Sequence, residues 1–154
     1  SETRRLPLPR AAGAMQAAQF TGSSADLARE VLTQWWARLI DSPVSGVFKI
    51  VITEVRNFPE LAQFYMDEVL APTHDLLRRV LERGMARGEF RALDITSVVY
   101  GMIAPVQFLI LHKRCTSVCV ATPIPLEPER FLGTQIDILL HGLAIPQPPS
   151  EKIS

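Results

Sequence analysis

His74 and Asp75 stand side by side in the most strongly patterned stretch of the chain, and an imidazole beside a carboxylate is the raw material of general acid–base chemistry. Neighbours on a helix do not face each other, so the pair is weak as a dyad. His74 reads better as a polar group in a pocket or on a solvated helix. A second grouping is His112, Cys115 and Cys119, residue types that bind zinc. Their spacing is loose, no fourth ligand is apparent, and Lys113 and Arg114 repel cations, so structural or free thiols are the simpler reading. A thiol switch would need a stabilised thiolate, for which Arg114 is only a hint. Arg78, Arg79, Arg83 and Arg87 could gather a phosphate, but Glu82 and Glu89 lie among them, and a solvated face accounts for the run. Gln107 interrupts the apolar run VVYGMIAPVQFLIL, and a buried amide wants partners. It fits either a ligand contact or a hydrogen bond across an interface between copies. The sequence contains no Gly-rich phosphate loop, Ser-His-Asp arrangement or paired-carboxylate motif. The expectation is a protein that is not an enzyme and needs no metal or cofactor.

The elements that carry these residues read as helices throughout. NFPELAQFYMDEVLAPTHDLLRRVLERGMARGEF, from Asn57 to Phe90, is the best punctuated. Asn57 is a favoured N-cap, Pro59 suits a first turn, and Glu60 complements the helix dipole. Gly88 supplies a left-handed cap at the other end. Pro72 removes a donor from the interior, which predicts a kink or short break. Before this stretch, Leu27, Val31, Trp35 and Leu39 share one helical face, with Leu32, Trp36 and Ile40 beside it. Val47, Phe48, Val51, Ile52 and Val55 make the face of a shorter helix. After it, Asp94 is an N-cap candidate for a helix running to about Lys113. Glu127-Pro128-Glu129 opens a last helix striped by Leu132, Ile136, Leu139, Leu140 and Leu143, with Gly142 near its end. The expected architecture is an all-α bundle of about five main helices, at roughly 24–41, 44–56, 58–87, 94–114 and 127–143. An N-terminal arm or partial helix over 1–22 and a loose tail over 145–154 flank a single domain over 23–144.

Composition narrows the function. The 154 residues suffice for one domain with a real core. They are 47% hydrophobic, so the surplus apolar surface must be buried in a large core or under a partner. The 16 basic and 16 acidic residues cancel, which argues against a general polyanion binder. Two closely spaced cysteines fit a reduced, cytoplasmic setting. There is no signal-like N-terminus and no apolar run of roughly 18 to 20 residues, so no membrane partner is expected. The helix over Val98–Leu111 is apolar nearly all round. One side can face the core, and the opposite side must meet something else. A second copy is the economical answer, and Gly101 would let another helix approach closely. Pro105 predicts a local bend.

The order of these features suggests a family. An amphipathic helix ending in Ser-Pro leads to FPELAQFY, a proline-interrupted LAPTHDLLRRVLERGMARGEFR, then DITSVVYGMIAPVQFLIL. This resembles the C-terminal regulatory domain of TetR (tetracycline-repressor-like) transcription regulators, over about Ala25 to Leu143. The resemblance implies an all-helical effector-binding domain that dimerises through its last two long helices, with the effector pocket between the earlier helices and the long central one. On that reading Trp35, Phe48, Ile52, Phe64, His74, Tyr100, Gln107 and Phe108 are the candidate ligand contacts, although Trp35, Phe48 and Phe64 would equally suit plain core. Val98, Gly101, Met102, Val106, Leu109, Leu132, Ile136, Leu139 and Leu140 are the candidate dimer contacts. The implied partners are a second copy, a small apolar effector, and operator DNA reached only through a helix-turn-helix that Ser1–Phe20 is too short to supply. Two rival readings are a stand-alone helical adaptor binding another protein through the Val98–Leu111 surface and a small helical enzyme using His74.

Overall fold

A computed structural model of the chain describes residues 19–40, 42–115 and 126–145. Its helices are α1 (Ser24–Ile40), α2 (Val44–Glu54), α3 (Pro59–Tyr65), a π-helical turn (Met66–Leu70), α4 (Ala71–Ala86), α5 (Ile95–Cys115) and α6 (Pro128–Leu143). Among the described residues the only β pairing is one isolated bridge between Phe90 and Ala144. The all-α expectation therefore holds, with the expected helices in the expected order. Asp41, most of the N-terminal arm, the 116–125 connection with Cys119, and the tail from 146 lie outside the described residues.

α1 and α5 form the centre. α1 packs on α2, α4, α5 and α6, and α5 packs on α1, α2, α4 and α6. The core between them holds Leu32 and Trp36 of α1, Leu77 and Leu81 of α4, Met102 and Val106 of α5, and Ile136 and Leu140 of α6. By length and composition alone the Ile95–Lys113 segment of α5 is apolar enough to cross a bilayer, which corrects the expectation that no segment is. In this fold its Val99, Met102, Ile103, Val106, Leu109 and Ile110 pack against protein.

The expected break at Pro72 takes another form. The helix does not stop; it widens into the π turn directly before α4. The Ala71 N–H reaches back five residues to the Met66 carbonyl. A wider turn relieves the clash a proline ring makes with the preceding turn. Thr73 Oγ1 donates to the Val69 carbonyl at 2.7 Å, so that oxygen keeps a partner inside the buried turn. Asn57 is not the cap of α3: Phe58 holds that position, and the Asn57 amide donates to Glu54 Oε2 at 2.6 Å. Asp94 does cap α5, accepting from the Ser97 N–H at 2.9 Å and from the Ser97 hydroxyl. α5 continues through Pro105 without interruption. Gly142 lies inside α6 rather than at its end, and Ala144 leaves the helix in extended geometry.

α4 ends as its sequence predicts. Gly88 has φ +70°, a conformation that side-chain-bearing residues avoid. Glu89 N–H bonds the Gly84 carbonyl and Gly88 N–H bonds the Met85 carbonyl, the two hydrogen bonds of a Schellman motif. This turn drops Phe90 onto Gly84, where an added Cβ would lie 2.1 Å from the Phe90 ring. Phe90 is itself buried, so its ring has little room to retreat. Beyond it, Arg91 ties the turn to the end of α6, donating its N–H to the Leu143 carbonyl and its Nε to the Gly142 carbonyl. Gly84→Ala should therefore destabilise the fold by about 1–3 kcal/mol, despite alanine's better helix propensity, because the clash overpacks the site. Urea unfolding of the variant against the parent chain measures it, and equal midpoints would refute the packing account.

Candidate functional site

α4 carries the residues that could do chemistry, and their partners decide what they do. Asp75 is held by Arg78 at 2.7 Å and by Arg79 at 2.8 Å, and Arg78 also binds Glu82 at 2.7 Å. These contacts hold the Asp75 carboxyl below the usual carboxylate range. Asp75 is thus committed to a surface ion network and does not pair with His74. His74 instead sets its ring edge-on to Tyr100, 4.9 Å between centroids and 89° apart. Its Nε2 is buried without a hydrogen-bond partner among the described residues, and burial lowers its pKa. The structure does bring these two candidate ligand residues together.

Within the arginine run, Arg83 acts as a clamp. Arg83 donates to the Ser24 hydroxyl at 2.8 Å and to the carbonyls of Phe20 and Gly22 at 2.9 and 3.0 Å. Glu89 accepts the Ser24 N–H at 2.8 Å, placing a carboxylate at the positive end of α1. Ser23 and Asp26 complete a local cap there. The end of α4 therefore fixes the direction in which the chain enters α1. Sequence reasoning missed this role, since the partners of Arg83 lie about sixty residues away and two are backbone carbonyls.

The remaining candidates are distributed differently from expectation. Phe48 is plain core and packs on Tyr65 with centroids 5.7 Å apart. Tyr65 is buried, and its hydroxyl is pushed up to about 12 by that burial. Trp35 and Gln107 are half-buried. Ile52 and Phe64 lie outside, 49% and 53% exposed, near the exposed Val55, Phe58 and Met66. Tyr100 and Phe108 are 58% and 50% exposed, on the outer face of α5. Phe108 meets the Phe131 ring of α6 and the His112 ring, each at 5.8 Å.

Most of the expected dimer contacts lie within the protomer. Met102, Val106, Leu109, Leu132, Ile136 and Leu140 are buried within the protomer, and Val98 and Leu139 pack against that core. Only Gly101 of the expected set is on the exposed side. On α5, Met102, Val106 and Leu109 are core, whereas Gly101, Tyr100 and Phe108 lie outside.

A cavity opens elsewhere, between the last two turns of α1, the end of α5 and the start of α6. Its volume is about 780 Å³. Trp36, Ile40, Leu109, Leu126, Leu132 and Ile136 supply an apolar lining, and Lys113, Glu127 and Glu129 are among its polar residues. Trp36 is only 1% exposed, and its Nε1–H has no acceptor among the described residues. An unmet buried donor costs on the order of 1–3 kcal/mol. None of the ligand contacts expected from sequence lines this space. The signal available was Trp36 itself, a buried indole whose N–H usually finds a partner.

A family profile described as "Tetracyclin repressor-like, C-terminal domain" matches residues 19–117. The chain belongs to this family. The match takes in α1 to α5 and stops before α6. No curated protein and no solved structure matches the chain significantly. Tetracyclin repressor-like C-terminal domains are regulatory rather than catalytic. Among the described residues no three His, Cys, Asp or Glu side chains gather as a metal site.

His74 yields a pH prediction. Its folded-state pKa is lowered, so below pH 6.5 the unfolded chain takes up a proton that the folded chain resists. Stability should be constant above that pH and fall as pH drops from 6.5 toward the folded value. His74→Gln should remove that part of the acid loss. Urea midpoints at pH 7.5, 6.5 and 5.5 test this, and identical slopes in parent and variant would rule it out.

Proposed function

We propose that this chain is the effector-binding and homodimerisation domain of a TetR-like transcription regulator. A small apolar ligand modulates DNA binding by a helix-turn-helix carried elsewhere in the intact protein. The setting is the cytoplasm, with operator DNA reached only through that head and with no membrane partner. The mechanism is a population shift, in which the ligand favours one placement of the two protomers and so changes the spacing of two DNA-reading heads.

The observation that carries the dimer reading is the strip left on the last two helices. Tyr100, Gly101, Ala104 and Phe108 run along the outer face of α5, and Ile138 of α6 is 59% exposed. Phe131 joins them through Phe108. An added Cβ at Gly101 or Gly142 would meet nothing within 4 Å, so both helices have room for another helix to approach. Aromatic side chains around small residues suit a helix-on-helix interface. Two helices from each of two copies would form a four-helix packing.

Sedimentation of the chain at micromolar concentration should give a dimer. The double variant Phe108→Asp, Ile138→Asp should sediment as a monomer with unchanged helical circular dichroism, since both residues lie outside the protomer core. A parent chain that is monomeric across that range would sink the dimer reading and favour the adaptor.

A further inference from the structure

We propose that pairing of two copies through the strip on α5 and α6 is proton-linked, with His74 as the group whose protonation opposes pairing. The inference rests on the dimer reading given above and adds a control that needs no ligand. One ring contact joins the strip to the histidine. Tyr100 stands on the outer face of α5 and is 58% exposed. Its ring meets the His74 ring of α4 edge-on, with centroids 4.9 Å apart. A partner seated on Tyr100 therefore covers the neighbourhood of His74 as well.

His74 is half-buried, and its Nε2 is buried without a hydrogen-bond partner among the described residues. In the charged imidazolium both ring nitrogens are donors, so protonation sets a charged N–H where no acceptor waits. α4 packs on the π turn, α1 and α5, and their charges do not offset that cost. Within two turns of His74, α4 and the π turn carry Asp67, Glu68, Asp75, Arg78 and Arg79, and Asp75 is held by the two arginines. The charged side chains of α1 are Asp26, Arg29, Glu30 and Arg38, all exposed. Among the described residues of α5 and its cap they are Lys113 and Asp94, also exposed, and Tyr100 is the titratable group in ring contact. Burial alone lowers the His74 pKa. A second copy over Tyr100 takes more water from that side and disfavours the charged form further. By linkage, pairing that repels the proton is itself opposed by the proton. The sign follows: pairing is constant where His74 is neutral in both states, and it weakens as pH falls from 6.5 through the monomer's lowered value toward the dimer's still lower one.

The chain has two other histidines, and both supply controls. His112 stacks on Phe108, so it also touches the strip, at 5.8 Å between centroids. His141 is exposed on α6, its Nδ1 3.4 Å from an Asp137 carboxylate oxygen that can receive its charge. Neither has the buried, unpartnered nitrogen that sets His74 apart.

The test measures self-association of the chain of this sequence by sedimentation at pH 7.5, 6.5 and 5.5, with circular dichroism at each pH to show that the helices persist. The dimer dissociation constant should rise about three- to tenfold between the first and the last, two histidines per dimer contributing. His74→Gln should pair as the parent does at pH 7.5 and keep that affinity at pH 5.5. His112→Gln should retain the pH dependence. A direct readout is NMR titration of the His74 ring in the parent and in Phe108→Asn, Ile138→Asn, which breaks the strip without adding charge. The ring should titrate at lower pH in the dimer than in that monomer. Equal titration in the two overturns the proposal. So does a pH dependence that persists in His74→Gln, or one that vanishes in His112→Gln. A parent dimer indifferent to pH loses the proton link and keeps the dimer reading, whereas a parent chain that is monomeric at every pH loses both.

Discussion

A helix that is apolar around its whole circumference cannot be satisfied by one neighbour, and α5 is such a helix. The rest of the fold answers that demand. α1, α2, α4 and α6 all pack on α5, and each brings an apolar stripe of its own. Their combined cover removes Val99, Met102, Ile103, Val106, Leu109 and Ile110 from water. It leaves Tyr100, Ala104 and Phe108 outside. Short helices wrapped around one long helix cannot enclose all of it, so one strip remains for something beyond the protomer. The proposed dimer is the continuation of the packing problem that α5 poses.

The stretch from Pro59 to Ala86 shows how a local conflict is settled when burial is at stake. Pro72 opposes an uninterrupted α-helix, yet Tyr65 and Val69 before it and Leu76, Leu77 and Val80 after it all face the core. A full break would release one of those sets. Widening a single turn keeps both faces inward, and Thr73 covers the Val69 carbonyl that the irregular turn would otherwise strand. The burial on both sides is worth far more than one distorted turn costs. The same reasoning explains Gly84: a residue without a side chain permits the Phe90 ring to close the end of α4.

What was legible in the sequence follows from how much each signal depends on neighbours along the chain. Helix positions, the Gly88 cap, the Asp94 cap and the Pro128 start are local, and periodicity or capping chemistry reveals them. The family is legible for the same reason, since its signature is an order of helices and turn residues. The orientation of α5 was not. A periodic stripe tells a reader which face is inward, but α5 is apolar on all sides and offers no phase to read. Met102, Val106 and Leu109 turn inward, and Tyr100 and Phe108 outward. Asn57 looked like a cap because the residue type is right, yet the helix begins one residue later, with Phe58 at the cap position. Arg83 and the cavity beside Trp36 depend on contacts between distant segments, and such pairings leave no mark in spacing.

The cavity and the proposed interface are built on the same two helices, and this limits how one could influence the other. Leu109 and Leu132 line the cavity, and their sequence neighbours Phe108 and Phe131 meet each other at the exposed strip. A ligand alters protomer pairing only to the extent that it binds one arrangement better than the other. α1 forms the third wall through Trp36 and Ile40, and its start is held by Arg83 and Glu89 at the end of α4. The contacts of Arg83 and Glu89 fix where α1 starts, whereas α5 and α6 carry both the cavity wall and the aromatic contact at the strip.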